Sequence, residues 1–98
     1  MTRNAVPESA LLIADPDVLA TEFGDEVVLL NLRDGVYYGL ADVGLLIWRM
    51  LRRPVTMQAI CDAIADGYDV DRARCERDVR TLIADLTDHG LITIRDDR

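Results

Sequence analysis

Residues 26–40, EVVLLNLRDGVYYGL, decide the fold of this chain. Two β-branched, apolar runs lie on either side of Asp34-Gly35, a dipeptide that accepts positive φ at both positions of a type I′ turn. We therefore predict two antiparallel strands joined by a tight loop, with Leu32 opposite Tyr37. In this register Tyr37 and Tyr38 point to opposite faces of the sheet.

A further strand precedes this pair. The run 18–23, VLATEF, is separated from it by Gly24-Asp25 alone, and a short loop with glycine first suits a type II′ turn. The three strands would then form a meander. Alternate residues of 27–30, VVLL, face opposite sides of its central strand, and all of them are apolar. We therefore expect protein to cover both faces of the sheet.

Helical periodicity follows the strands, in amphipathic segments at 43–52, 57–66 and 72–88. Each segment follows a residue that can cap a helix, namely Asp42, Thr56 and Asp71. Residues 91–94, LITI, return to β character. Strands followed by helices predict an α+β fold, in which a three-stranded antiparallel β-meander packs on three α-helices in a winged helix-turn-helix-like arrangement.

The chain divides into an N-terminal arm (residues 1–16), a folded domain (17–95) and a charged tail (96–98). A short apolar run within the arm predicts that it packs as an arm or a strand. Neither a secretory signal nor a bilayer-spanning apolar stretch is visible. Cys61 and Cys75 lie in apolar helical contexts, which are typical of buried, reduced thiols. We therefore expect a stand-alone cytoplasmic protein.

The charge balance limits the choice of partner. The chain carries 18 acidic and 11 basic residues, a net charge of −7. Such a charge repels polyanions, so nucleic acid and anionic membranes are disfavoured as partners. The expected partner is a protein, a peptide or a small molecule.

Motifs for catalysis are missing from the sequence: it has no glycine-rich phosphate loop, HExxH, CxxC or GxSxG. His89, the single histidine, falls at the end of the third predicted helix, where a helix-capping role is favoured over a metal ligand or a base. Acidic pairs flank predicted element ends, where aspartates are common as caps and turn formers. We predict no catalytic residue, no metal, no cofactor and therefore no enzyme.

A winged-helix DNA-binding protein is the rival functional class. In that interpretation the third helix would enter the major groove with its arginines, which are Arg72, Arg74, Arg77 and Arg80. The same helix also carries Glu76, Asp78, Asp85 and Asp88. Because phosphate neutralisation supplies most non-specific affinity, this acidic surface starts at a disadvantage.

The last predicted strand of the meander, residues 36–40, is an edge. Natural edges are usually blunted by lysine, proline or a bulge, and VYYGL has neither lysine nor proline. Its unpaired N–H and C=O groups could accept an extended peptide, with alternate side chains providing specificity. The alternatives are that the N-terminal arm covers this edge, or that a second copy does so in a homodimer.

Several segments in order resemble the signature of the PqqD family. They are LNL at 30–32, DGVYYGL at 34–40, VGLLIW at 43–48, PVT at 54–56 and the ending at 82–92. The resemblance spans about residues 15–94. One departure is Ala41-Asp42, where the family usually has asparagine just before the first helix, so that the helix cap shifts to Asp42.

This resemblance implies a recognition element for ribosomally synthesised and post-translationally modified peptides (RiPPs), without catalytic activity. Such a protein binds the leader region of a precursor peptide as an added strand and delivers it to a processing enzyme. That enzyme is a leader peptidase in lasso-peptide pathways, which the start of the domain favours. It is a radical-SAM maturase in pyrroloquinoline quinone biosynthesis.

The same resemblance implies a leader groove between the third strand and the third helix. Its strand wall would comprise Val36, Tyr37, Tyr38 and Gly39. The helix wall, taken from the helical wheel, would comprise Cys75, Asp78, Val79 and Leu82. Arginines of that helix are expected to meet acidic leader side chains, at small energy where they are exposed.

Overall fold

The computed structural model describes residues 9–95, so the first eight residues of the predicted arm (1–16) and the predicted tail (96–98) lie outside the described residues. Its elements, in chain order, are β1 (Leu11–Ala14), β2 (Val18–Phe23), β3 (Glu26–Asn31), β4 (Tyr37–Ala41), α1 (Val43–Met50), α2 (Met57–Gly67), α3 (Arg72–Asp88) and β5 (Ile92–Arg95). β2, β3 and β4 form one antiparallel sheet in sequence order. The predicted α+β fold, a three-stranded meander with three helices, is confirmed.

The β2–β3 connection is the predicted tight turn. Phe23 pairs with Glu26, Gly24 has a φ of 61°, and Asp25 is not among the residues with positive φ. Positive φ at the first turn position alone is the type II′ pattern, which glycine adopts at no steric cost.

The β3–β4 connection is longer than predicted. β3 ends at Asn31 and β4 begins at Tyr37, so that Tyr37 pairs with Leu30 and Tyr38 pairs with Leu29. The predicted register, with Leu32 opposite Tyr37, is therefore wrong by two residues. A shift of two preserves the face of every side chain. Tyr37 is accordingly exposed and Tyr38 half-buried, on opposite faces.

Hydrogen bonds of the loop explain the shift. The carbonyl of Asn31 accepts a hydrogen bond from the N–H of Gly35 at 2.8 Å, and its side-chain Oδ1 accepts one from the N–H of Arg33 at 2.9 Å. The side chain of Asp34 accepts a third from the N–H of Val36 at 3.0 Å. These bonds stabilise a wider loop than Asp34-Gly35 alone would form. Val36, predicted as a strand residue, consequently lies in this loop.

The inner face of the meander packs on the helices. Val27 and Leu29 of β3 are fully buried there, and Tyr38 and Leu40 of β4 pack against the same core. The helices contribute most of the remaining core, including Leu45, Trp48, Ile60, Ile64, Val79, Ile83 and Leu86. Burial of these apolar side chains is the main force that holds the sheet on the helical layer.

The outer face of the meander is open in the described part of the chain, which corrects the expectation that protein covers both faces. Leu19, Phe23 and Tyr37 lie on this face with 55%, 61% and 68% of their surface exposed. Val28 and Leu30 on the same face are half-buried. Within residues 9–95, the apolar side chains on the outer face of β3 are therefore not covered by a second layer of secondary structure.

The apolar run near the N-terminus forms a strand. β1 pairs antiparallel with β5, with Leu12 opposite Ile94. Leu12 is also bridged to Val55, since each residue donates its N–H to the carbonyl of the other at 2.7 and 2.9 Å. The described part of the arm therefore covers the region of β5 and does not cover β4.

Helix ends differ in how they are capped. Thr56 Oγ1 accepts a hydrogen bond from the N–H of Ala59 at 3.1 Å, which caps α2 as predicted. Asp42 and Asp71 occupy the predicted N-cap positions of α1 and α3, but their side chains make no such bond. Within residues 9–95, the length and apolarity needed to cross a membrane are found in no helix.

Candidate peptide-binding groove

The free edge of β4 presents three residues with open main-chain groups. Antiparallel pairs alternate between residues whose main-chain groups point toward the partner strand and residues whose groups point away. Asn31 donates to the carbonyl of Val36, and Asp42 donates to the carbonyl of Asp25, so residues 36, 38, 40 and 42 face β3. The N–H and C=O groups of Tyr37, Gly39 and Ala41 therefore point to the open edge.

Each of these three residues is exposed, and no described strand other than β3 pairs with β4. A Cβ atom at Gly39 would project from the outer face of the sheet and would have no neighbour within 4 Å, so a side chain fits there. Whether a second copy of the chain pairs with this edge stays a prediction.

Side chains of β4 point inward at the alternate positions. Tyr38 contacts the ring of His89 at the C-terminus of α3, with 5.0 Å between the ring centroids. Burial, together with the nearby Asp85 carboxylate, raises the pKa of Tyr38. At the other end of the strand Leu40 packs on α1, where a Cβ atom on Gly44 would lie 3.2 Å from the Leu40 side chain. β4 thus lies against both α1 and the end of α3.

All four helix residues predicted for the site line one groove beside α3: Cys75, Asp78, Val79 and Leu82. The groove has a volume of about 490 Å³, within the range typical of ligand-binding clefts. Its other lining residues come from α1, α2, the α2–α3 loop and the first turn of α3; they are Val43, Gly44, Ile47, Ile64, Asp69, Val70, Asp71 and Arg74. The structure therefore brings these four residues together on one face of α3, and their contact with a leader stays a prediction.

The predicted strand residues, 36–39, lie outside the groove beside α3. Val36 lies in the loop, where its N–H is bonded to Asp34 and its carbonyl to Asn31. Tyr37 and Gly39 present open main-chain groups, whereas the main chain of Tyr38 faces β3. None of residues 36–39 lines the groove beside α3, which begins where α1 follows β4. The edge and the groove are neighbouring parts of one surface.

Sequence reasoning missed Ala41 and the lining residues from α1. The predicted strand ends at residue 40, one residue before the end of β4, and therefore omits Ala41. Val43 and Ile47 lie four residues apart on α1, a spacing that predicts a core-facing stripe but does not indicate a groove. The α2–α3 loop carries no periodic signal, so Asp69 and Val70 could not be placed from sequence.

The two cysteines are buried and in their free thiol form. Burial and the neighbouring Cys75 thiol raise the pKa of Cys61 to about 11. A thiol with a raised pKa is a poor nucleophile at neutral pH. Among residues 9–95 there is also no group of His, Cys, Asp or Glu side chains that could hold a metal ion.

A polar cluster fixes the β3–β4 loop against the end of α3. Asn31, which is 3% exposed, donates its Nδ2–H to the carbonyl of His89 at 3.0 Å. Arg33 donates to the carboxylates of Asp15 and Asp17 at 2.8 and 2.9 Å and to the carbonyl of Gly90 at 2.9 Å. The Arg33 hydrogen bond is the main reason that the pKa of Asp15 is lowered. This cluster holds β4 at a fixed position beside α3.

Comparison with known proteins shows which family this chain resembles and which solved structures share its fold. Residues 26–92 match the family described as coenzyme PQQ synthesis protein D (PqqD). A solved structure described as TbiB1 in complex with the TbiA(beta) leader peptide is 38% identical, covers 87% of this chain and 99% of its own, and has a TM-score of 0.80.

A second solved structure, lasso peptide synthetase B1 complexed with the leader peptide, is 26% identical. It covers 84% of this chain and 96% of its own, with a TM-score of 0.75. A search of curated proteins gave no match. Because the family match covers more than half of the 98 residues, the chain belongs to the PqqD family.

Proposed function

We propose that this chain is a RiPP recognition element, which binds the leader region of a ribosomally synthesised precursor peptide by β-strand addition. The leader forms a further strand on β4 and bonds to the main-chain groups of Tyr37, Gly39 and Ala41. The observation that carries the proposal is that these groups are open and border an apolar groove. The chain acts by binding alone and uses no metal, cofactor or catalytic residue.

Strand addition supplies both affinity and selectivity. Each open residue offers one N–H and one C=O group, and a net hydrogen bond contributes roughly 0.5–1.5 kcal/mol. These main-chain bonds are independent of leader sequence. Leader side chains that lie beside Tyr38 and Leu40 point toward α3, and their fit there distinguishes one leader from another.

We further propose that the chain delivers the leader to a processing enzyme, and we favour the leader peptidase of a lasso-peptide pathway. Both solved relatives carry a leader peptide, and one of them is described as lasso peptide synthetase B1. The alternative is a chaperone that presents a precursor to a radical-SAM maturase, which the description of the matched family supports.

A processing enzyme requires a surface that the bound leader leaves open. The outer face of the meander meets this requirement, because it lies on the opposite side of the sheet from the groove. Its exposed apolar side chains, Leu19 and Phe23 of β2 among them, are typical of a protein-binding surface.

The charge of the groove argues against the alternative of DNA binding. Asp69, Asp71 and Asp78 line it, whereas Arg72 of α3 is paired with Asp62 and Glu76 outside it. A helix that entered the major groove of DNA would bring these carboxylates toward the phosphates.

The decisive experiment is a titration of the fluorescently labelled leader of the precursor encoded beside this gene, with Gly39→Pro compared with Gly39→Ala. Proline removes the open N–H of residue 39, but the ladder between β3 and β4 does not use that group. We expect saturable binding at micromolar Kd or tighter, about tenfold or more weaker for Gly39→Pro and nearly unchanged for Gly39→Ala. Equal affinity of Gly39→Pro, with unfolding temperatures matched, would exclude strand addition on β4.

A further inference from the structure

The groove beside α3 begins close to the end of β4. β4 ends at Ala41 and α1 begins at Val43, which lines the groove together with Gly44. Leu40 packs on Gly44 at the same place. A peptide that pairs with β4 and extends past Ala41 therefore comes next to the start of the groove.

The groove has an apolar floor. Val43 and Ile47 of α1 line it from one side, and Val79 and Leu82 of α3 line it from the other. Ile47 and Val79 are almost fully buried, whereas Leu82 is half-buried. An apolar side chain of the peptide gains free energy by removing this surface from water.

Its rim is acidic. Asp69 and Asp71 lie on the α2–α3 loop and Asp78 lies two helical turns further along α3; all three are exposed. None of them is paired with another residue in the described part of the chain. Arg74 contributes the single basic side chain of the lining, so carboxylates outnumber cations three to one.

Other arginines of α3 do not offset the negative charge of the groove rim. Arg72 binds Asp62 at 2.8 Å and Glu76 at 3.1 Å, and together with Arg80 it lines a separate, smaller cavity between α2 and α3. Arg72 is thus already paired within the chain, while Arg74 lines the groove. That arginines of this helix meet acidic leader side chains stays a prediction.

We propose that this site selects peptide segments in which an apolar side chain is flanked by lysine or arginine. The inference rests on the proposed function and adds the chemical class of the ligand to it. The apolar side chain occupies the floor, and the cation lies among Asp69, Asp71 and Asp78 at the rim. An acidic residue at the same position is repelled by these carboxylates, so the rim also excludes peptides of the wrong charge.

The effect is moderate in size because the rim is solvated. An exposed ion pair changes affinity by a factor of roughly 1.5 to 5. Neutralising two rim carboxylates is therefore expected to weaken binding about three- to tenfold at low ionic strength. The loss shrinks as salt screens the charges.

The experiment is a selection of mRNA-displayed random 15-residue peptides against the full chain, repeated with a groove variant and a control variant. The groove variant is Asp69→Asn with Asp78→Asn. The control is Glu26→Gln with Asp34→Asn, which changes the net charge equally at two exposed acids that do not line the groove. We expect peptides selected by the wild type and the control to be enriched in lysine or arginine beside an apolar residue, and peptides selected by the groove variant to lose this enrichment.

One selected peptide is then titrated at low and high salt against all three proteins. Weaker binding to the groove variant alone, by about three- to tenfold and mainly at low salt, supports the inference. The inference is overturned if the selected peptides are not enriched in lysine or arginine, or if the groove and control variants lose affinity equally. Neither outcome contradicts strand addition on β4. If no peptide binds saturably and the gene's own leader also fails to bind, the proposed function itself fails.

Discussion

Tyr38 and His89 join the edge strand to the end of the long helix. Their ring centroids are 5.0 Å apart, and the rings are tilted by 52°. His89 is itself held in place by a 2.8 Å hydrogen bond between Nδ1 and the carbonyl of Asp85. This contact sets the distance between β4 and α3 at one end of the proposed leader site.

Removal of that contact should loosen β4. His89→Ala is expected to lower the free energy of unfolding by about 0.5–1.5 kcal/mol, the typical value of an aromatic pair. The measurement is urea unfolding followed by circular dichroism. Tyr37→Ala is the matched control, because Tyr37 is 68% exposed and its replacement should leave the unfolding free energy nearly unchanged. Equal effects of the two variants would contradict the role assigned to the Tyr38–His89 contact.

Gly90 should tolerate no side chain. Its φ is +69°, and a Cβ atom would lie 3.1 Å from Nη2 of Arg33 and 3.2 Å from Nδ2 of Asn31. Gly90→Ala combines left-handed backbone strain with a clash against the polar cluster, and we expect it to cost about 1–3 kcal/mol of stability. The measurement is the shift of the thermal unfolding midpoint.

Gly67→Ala provides the control for this substitution. Gly67 ends α2, has no positive φ, and would have no neighbour within 4 Å of an added Cβ atom. Alanine there should be neutral or slightly stabilising, because it has the higher helix propensity. If Gly90→Ala and Gly67→Ala have similar thermal unfolding midpoints, the polar cluster around Gly90 accommodates a side chain without loss of stability.

Acid should weaken the fold through Asp15. The hydrogen bond from Arg33 is the largest cause that lowers the pKa of Asp15 below its ordinary 3.8 in the folded chain. A depressed carboxyl pKa contributes stability above pH 3.8, the unfolded value, and this contribution is lost as pH falls through the folded value.

The corresponding test compares unfolding free energies near pH 7 and near pH 3 in the wild type and in Asp15→Asn. The wild type should lose more stability on acidification than the variant does, since the variant has no carboxyl to protonate at this position. Asp66→Asn, at an exposed acid near the end of α2, controls for the general effect of removing an acid. An unchanged acid dependence in Asp15→Asn would contradict the assignment.

The floor of the groove should matter for leader binding, whereas the outer face should not. Leu82→Ala removes part of the apolar lining, and we expect leader affinity to fall about five- to thirtyfold, equivalent to about 1–2 kcal/mol. Phe23→Ala, an apolar truncation at a residue 61% exposed on the outer face, should leave the leader Kd within about twofold. Fluorescence anisotropy with the labelled leader distinguishes these outcomes.

Phe23→Ala also tests the delivery step. If the outer face receives the processing enzyme, this variant should slow leader cleavage by the partner peptidase although the leader still binds. Unchanged cleavage with both Phe23→Ala and Leu19→Ala would place the enzyme contact elsewhere on the chain.

Local patterns predicted most of the fold. Glycine before aspartate at 24–25 specified a tight turn because only the first position needs positive φ. Apolar spacing on α3 identified Cys75, Val79 and Leu82 as one face, and these residues do share the groove. Such features depend on residues a few positions apart, so a single sequence contains them.

Interactions between distant residues account for the errors. Asn31 ends the ladder of β3, and its side chain also bonds to His89, which is 58 residues away, and to the N–H of Arg33 in the longer loop. Arg33 likewise meets Asp15 across 18 residues. The outer face was misjudged because an apolar side chain gives the same sequence signal whether another layer of protein or a binding partner covers it.

The alternation of main-chain direction along β4 has an evolutionary consequence. A guest strand bonded at Tyr37, Gly39 and Ala41 turns every second side chain away from the helices. Those outward positions can mutate without loss of recognition, while the inward ones stay under selection. Precursor peptides whose leaders differ only at outward positions would therefore bind the same recognition element and compete for it in one cell.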